Sequence, residues 1–217
     1  MPAPLRRSAL HHRLLAAGAR MGTSRGWEQA ESLGDRATED AAVRAGVVLA
    51  DLSAQHLVLA QAQDLAAWLP FAPAIGWVAL VANSGSPTRC CRLTADSALL
   101  LSADPLELPP VAQACGYLTD LTSGFTIVGV AGPRSVDLLR ATTQVDLRGR
   151  AFPDRACVQS SLARVPATIL RFDRRGVPAY EILVPRDYGE YLWEALLDAG
   201  APLGARVVGA IAIEPGD

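Results

Sequence analysis

Apolar positions recur along this chain at two spacings, and each predicts a different kind of element. Leu10, Leu14, Ala17 and Met21 fall three or four residues apart, the spacing of a helix laid on a core. Ser8 can cap that helix and Gly22 can end it. Residues 38–45 predict a second helix, with Thr38 as cap, two acids in its first turn and Gly46 as its stop. A third spans 61–69, where Ala62, Leu65, Ala66 and Leu69 share a face and Pro70 closes it. Short apolar runs read as strands over 47–52, 76–82, 97–102, 125–131, 180–184 and 206–213. Residues 157–165 and 167–172 predict an antiparallel pair, since only Pro166 separates them. Two more helices are expected: 134–141, and a run from an Asp187 cap through Leu197 that Gly200 ends. Residues 103–124 read as a proline-bearing connector with one helical turn at 111–115.

In the second half the order is strand, helix, three strands, helix, strand, close to a split βαβ unit; the first half is a looser version. The expected fold class is therefore α+β. One domain, 1–217, would hold two packed split-βαβ-like subdomains, about 1–115 and 116–217, with mostly antiparallel sheets and helices on the outer face.

Composition narrows the function. Half of the 217 residues are apolar and the formal net charge is −2. That excludes a disordered chain and a strongly basic nucleic-acid binder. All 20 basic residues are arginine, which excludes a lysine Schiff base or a phosphate-loop lysine. Four cysteines, at 90, 91, 115 and 157, form no CxxC pair, and His11, His12 and His56 have no metal-ligand spacing. Reduced, buried thiols of a cytoplasmic protein are expected, with no metal and no membrane span. The first 27 residues hold five arginines and no acid, and four tryptophans are scattered through the chain. Both residue types anchor interfaces, so a partner chain is expected.

Candidate chemistry is sparse. Ser53 and His56 lie close in sequence but no GxSxG elbow supports a nucleophile. No G-x-G-x-x-G follows a strand. The turn at 173–176 reads as a solvated hairpin tip. Glu181 is different: it interrupts the apolar strand Ala179-Tyr180-Glu181-Ile182-Leu183-Val184, on the face of Leu183 and away from Ile182. A carboxylate there must find donors or bear the cost of desolvation. Two readings stay open. It forms a structural pair or rim charge with an arginine, or it accepts two parallel N–H bonds from a ligand whose polar end Arg206 holds.

Several blocks carry a resemblance: Gly18-Ala19-Arg20-Met21, Gly26-Trp27-Glu28, and Ala42-Val43-Arg44 through Leu49-Ala50-Asp51-Leu52-Ser53. Gly132-Pro133, Tyr191-Leu192-Trp193 and Gly204-Ala205-Arg206 through Glu214-Pro215-Gly216 add to them. Together they resemble the glycine-cleavage T-protein (aminomethyltransferase) family and its folate-binding domain, patchily between 57 and 120. Residues 132–171, with Asp146-Leu147, Arg150-Ala151-Phe152-Pro153 and Leu162-Ala163-Arg164, look closer to the gamma subunit of heterotetrameric sarcosine oxidase, as does Arg7-Ser8-Ala9-Leu10-His11.

The resemblance implies tetrahydrofolate as cofactor, with Glu181 on the pterin's donors and Arg206 at the same site. It also implies an aspartate just after a glycine-rich turn. Here that turn reads Gly85-Ser86-Pro87-Thr88-Arg89-Cys90-Cys91, and no acid stands between Asp64 and Asp96. A catalytic residue is therefore not assignable. The expected role is an accessory, gamma-type subunit of a sarcosine-oxidase-like complex, with other subunits of an amine-oxidising assembly as partners. The alternatives are a stand-alone tetrahydrofolate-dependent transferase and a folate-free interaction module of the same fold.

Overall fold

The apolar run Phe125–Ala131 (β10) lies inside a six-stranded sheet in the computed structural model, which describes residues 4–82, 86–106, 116–174 and 176–213. On one side β10 pairs antiparallel with Ala179–Pro185 (β13), followed by Val165–Arg171 (β12) and Cys157–Leu162 (β11). On its other side lies Val48–Asp51 (β4), antiparallel, and the edge strand Arg206–Val207 (β14) adds to β4 in parallel. A five-stranded antiparallel sheet runs in the order Val78–Val81 (β6), Thr88–Arg92 (β7), Ser97–Ser102 (β8), His56–Ala62 (β5) and Gly116–Asp120 (β9). Arg6–Arg7 (β1), Trp27–Ser32 (β3) and Arg20–Ser24 (β2) form a small third sheet. The helices are His11–Ala16 (α1), Arg36–Ala45 (α2), Leu65–Trp68 (α3), Ser135–Arg140 (α4), Gly189–Gly200 (α5) and Ala210–Ile213 (α6). The fold is α+β with mostly antiparallel sheets, as the patterning predicts. Strand β4 comes from the first half of the chain but pairs inside a sheet built mainly by the second.

Alternation along β13 sorts its side chains between two cores. Tyr180, Ile182 and Val184 join Val128, Val130 and the α4–α5 residues Leu138, Leu192 and Leu196. Ala179 and Leu183 face the other way and pack with Leu57, Cys91, Leu99 and Leu101 of the five-stranded sheet. A third core lies on the far side of that sheet, where Cys90 and Leu100 meet Leu65, Trp68 and Leu69. At about 1.5–3 kcal/mol for each fully buried large aliphatic side chain, these layers dominate the driving force for folding.

Several expected boundaries moved, each for a local reason. The first helix ends at Ala16, and Arg20–Ser24 instead makes a hairpin with Trp27–Ser32. Arg25 and Gly26 take φ of 54° and 76°, the left-handed pair a two-residue hairpin needs. Asp35, not Thr38, caps α2, accepting the Thr38 N–H at 3.0 Å. The expected 61–69 helix shrinks to Leu65–Trp68, because Asp64 caps it there and residues 56–62 form β5. The connector at 103–124 holds β9, while its expected turn at 111–115 lies outside the described residues. Ala163 and Arg164, at φ 50° and 68°, make the β11–β12 turn, and Pro166 sits within β12. Proline is tolerated because β13 pairs only with 168–171 of that strand. The C-terminal strand stops at Val207: Gly209 lies so close to Glu31 that an added Cβ would be 1.9 Å from its carbonyl oxygen, and a short helix follows.

Candidate functional site

Glu181 is 2% exposed and occupies the face of β13 that looks at the five-stranded sheet. Its cross-strand neighbour on β10 is Gly129. A Cβ at Gly129 would lie 2.3 Å from Ile213 Cδ1 and 2.8 Å from Leu52 Cδ1, so glycine lets α6 settle beside the carboxylate. From the facing sheet, β7 supplies Arg89, itself 3% exposed. Arg89 Nη1 donates to Glu181 Oε1 and Nη2 donates to Gln55 Oε1. Arg174 Nη2 donates to the same Glu181 oxygen at 2.5 Å. The guanidinium carbons of Arg89 and Arg174 also lie 5.9 and 5.7 Å from the Phe172 ring centre, within cation–π range.

The electrostatics follow from this geometry. Burial by itself pushes the Glu181 carboxyl up, but the Arg89 and Arg174 guanidiniums, by charge and hydrogen bonding, bring it below the ordinary glutamate value. The group stays ionised. Two buried polar atoms beside the pair, Glu181 Oε2 and Gln55 Nε2, have no partner among the described residues.

The two sequence-predicted site residues do not come together. Arg206 is exposed on β14, aligned with Val48, and β4 and β10 separate its strand from β13. It lines a groove of about 520 Å³ beside Ala37, Ala41 and Ala45 of α2. The partners of Glu181 are Arg89, whose other arm Gln55 accepts, and Arg174, none of which the strand pattern singled out. Arg89 did carry a signal. It stands among Thr88, Cys90 and Cys91 with no acid between Asp64 and Asp96, so a buried arginine there needs a distant carboxylate. The 173–176 turn is corrected too: Arg174 pairs with Val177 across it, and its side chain is only 12% exposed.

The remaining candidates have structural partners. The Ser53 hydroxyl donates to Asp51 Oδ1 at 2.5 Å and accepts from the Ile127 N–H at 3.0 Å. Cys90, Cys91 and Cys157 are free and buried, and burial pushes the Cys90 thiol up to about 12. Of the N-terminal arginines, Arg7 pairs with Glu28, Arg13 with Glu190 and Glu194, and Arg20 with Glu31. Trp27, Trp68 and Trp193 are core residues, leaving Trp77 exposed at 44%. Among the described residues no group of three or more His, Cys, Asp or Glu could hold a metal, and no helix is long and apolar enough to cross a membrane.

The implied folate needs an ionised carboxylate with both oxygens turned to a ligand. Glu181 is ionised, but it is closed over, and one of its oxygens already carries two guanidiniums. These residues do not fit a pterin.

Two sheets packed face to face and joined by a buried carboxylate–guanidinium cluster define an α+β protein with a charged seam between its sheets. The chain belongs to the family described as GCVT N-terminal domain, which matches residues 106–215. It is 30% identical to an aminomethyltransferase of Streptomyces avermitilis over 90% of its own length and 57% of that protein. The crystal structure of glycine cleavage system aminomethyltransferase T from Bartonella henselae superposes with a TM-score of 0.77 at 21% identity, over 96% of this chain and 60% of that one. A chain of heterotetrameric sarcosine oxidase from Corynebacterium sp. U-96 superposes with a TM-score of 0.64 at 24% identity, over 92% of this chain and 97% of that one. The chain thus spans about three fifths of the length of these two aminomethyltransferases.

Proposed function

We propose that this chain is an accessory, non-transferring subunit of a cytoplasmic amine-oxidising complex of the sarcosine-oxidase type, with flavin and nucleotide chemistry in partner chains. The observation that carries the reading is Arg89. In the segment where an aminomethyltransferase would need an acid beside the reacting nitrogen, a cation stands instead, tied to Glu181. A guanidinium there repels the positive charge that develops on an iminium. The likeness to nearly all of a sarcosine oxidase chain supports the same reading.

Stand-alone tetrahydrofolate-dependent transfer is the second reading, favoured by the 30% identity to the Streptomyces avermitilis aminomethyltransferase. A folate-free interaction module of the same fold is the third. An affinity-tagged chain expressed in its native cell separates them. The expected result is a co-purified, flavin-containing complex that oxidises sarcosine or another N-methylated amine, and no turnover by the chain alone. Aminomethyl transfer by the purified chain would establish the second reading, and a chain that recovers no amine-oxidising partner favours the third.

A further inference from the structure

We infer that Arg89 is a resident occupant of the Glu181 carboxylate, so that this chain takes no tetrahydrofolate at that position although its family implies one. A guanidinium is planar and offers parallel N–H donors in a fixed fork. That is the hydrogen-bonding pattern of the amino and ring N–H edge of a pterin. Arg89 brings this fork from β7 onto Glu181, with its second arm on Gln55, and it lies over the Phe172 ring at 5.9 Å. A carboxylate, a donor fork and an aromatic face are therefore all supplied from within the chain.

The atoms left over have the wrong character for a pterin. A ligand edge with two adjacent donors needs two acceptors. Glu181 and Gln55 keep one acceptor, Oε2, and one donor, Nε2, without partners among the described residues, and both are buried. Glu181 Oε1 holds two cationic donors at once, and Arg174 closes the hairpin side with its side chain 12% exposed. Displacing Arg89 would bury an unpaired guanidinium or force the two sheets apart, since Arg89 belongs to one and Glu181 to the other. Arg89 and Glu181 are thus a clasp between sheets, and the ligand position is its cost in function.

The inference holds whether or not the chain sits in a complex, and its test is separate from co-purification. The full chain is titrated with 5-formyltetrahydrofolate, a chemically stable reduced folate, by calorimetry, and wild type and Glu181→Gln are compared in binding and in thermal unfolding. The expected result is no saturable binding up to about 1 mM that depends on Glu181, a bound well below the affinity that specific ligands reach. Glu181→Gln should also melt about 5–10 °C lower, because glutamine takes the carboxylate away from the buried Arg89 guanidinium. Saturable binding that Glu181→Gln weakens tenfold or more overturns the inference, and so does an unchanged melting temperature in Glu181→Gln. Folate bound at Glu181 by a chain that still joins an amine-oxidising complex would sink this inference alone. A chain with neither folate nor partner would sink only the subunit reading.

Discussion

Glu181 and Asp51 are buried on opposite faces of one six-stranded sheet, 2% and 6% exposed, and they titrate in opposite directions. Glu181 shares its face with Leu183 and meets guanidiniums. Asp51 aligns with Val128, on the other face, and meets hydroxyls: Ser53 Oγ and N–H on one oxygen and Ser8 Oγ on the other. Burial raises the Asp51 carboxyl, and those hydrogen bonds, with the more remote Arg186 charge, only partly offset it. Equal burial therefore produces two different devices. One is a charged clasp whose loss is costly, the other a polar knot tying the N-terminal segment to β4 and β10. The partner's charge decides between them.

The clasp gives the largest predicted effect. Arg89→Ala removes the inner guanidinium, leaves Gln55 Oε1 without its donor and leaves Glu181 dependent on Arg174 alone among its ion-pair partners. Breaking one side of a buried pair costs about 3–5 kcal/mol, so urea unfolding should show a loss of that size from a margin of about 5–15 kcal/mol. The double variant Arg89→Met, Glu181→Leu should recover the greater part, because it removes both charges. A double variant as unstable as Arg89→Ala would show that packing, and not charge, is what the site requires.

How much of this was legible beforehand divides along the same line. The β10, β13 and α5 segments could be read because one periodicity ran through each and a glycine or proline closed it. The β2–β3 hairpin could not, since only the second of its two left-handed turn positions is a glycine, Gly26, and Arg25 holds the first. Strand β5 was obscured because Ala62, Leu65 and Leu69 also fit a helix, and only the Asp64 cap fixes where the helix begins. Glu181 stood out as a polar residue in an apolar strand. Its partner did not, because Arg89 lies 92 residues away and pairing between sheets leaves no local period. Arg206 entered as the charge at the head of the last apolar run and through the resemblance, and the topology sets it three strands away from Glu181.

The pH dependence of stability sharpens the contrast at intermediate size. Glu181 titrates below its ordinary range when folded, so its contribution is present above about pH 4 and is lost as pH falls through the folded value. Asp51 titrates above its ordinary range. Its ionised form is therefore a cost to the folded state at neutral pH, one relieved as pH falls from the folded value toward about 4. Glu181→Gln should remove a stretch of acid destabilisation while costing about 2–4 kcal/mol at pH 7. Asp51→Asn should shift stability at pH 7 by about 1 kcal/mol or less and flatten the opposing slope, since an amide still accepts from Ser53 but carries no charge. Urea midpoints from about pH 2 to about pH 8 measure both. Slopes of the same sign in the two variants would erase the distinction between clasp and knot.

The smallest effect comes from a cluster with the inverse composition of the clasp. At the surface Arg13 meets two carboxylates, Glu190 at 3.0 Å and Glu194 at 2.5 Å, each of the three side chains about half exposed. Its distances match those inside, yet water screens each charge and holding a long side chain in place costs rotamer entropy. Arg13→Ala should change stability by about 0.5 kcal/mol or less, and raising salt from 0.05 to about 0.5 M should abolish most of that difference. The Arg89→Ala penalty should hardly respond to the same salt, because its charges lie beyond the reach of mobile ions. Equal salt sensitivity in the two variants would place Arg89 and Glu181 in contact with solvent and turn the clasp into an ordinary surface pair.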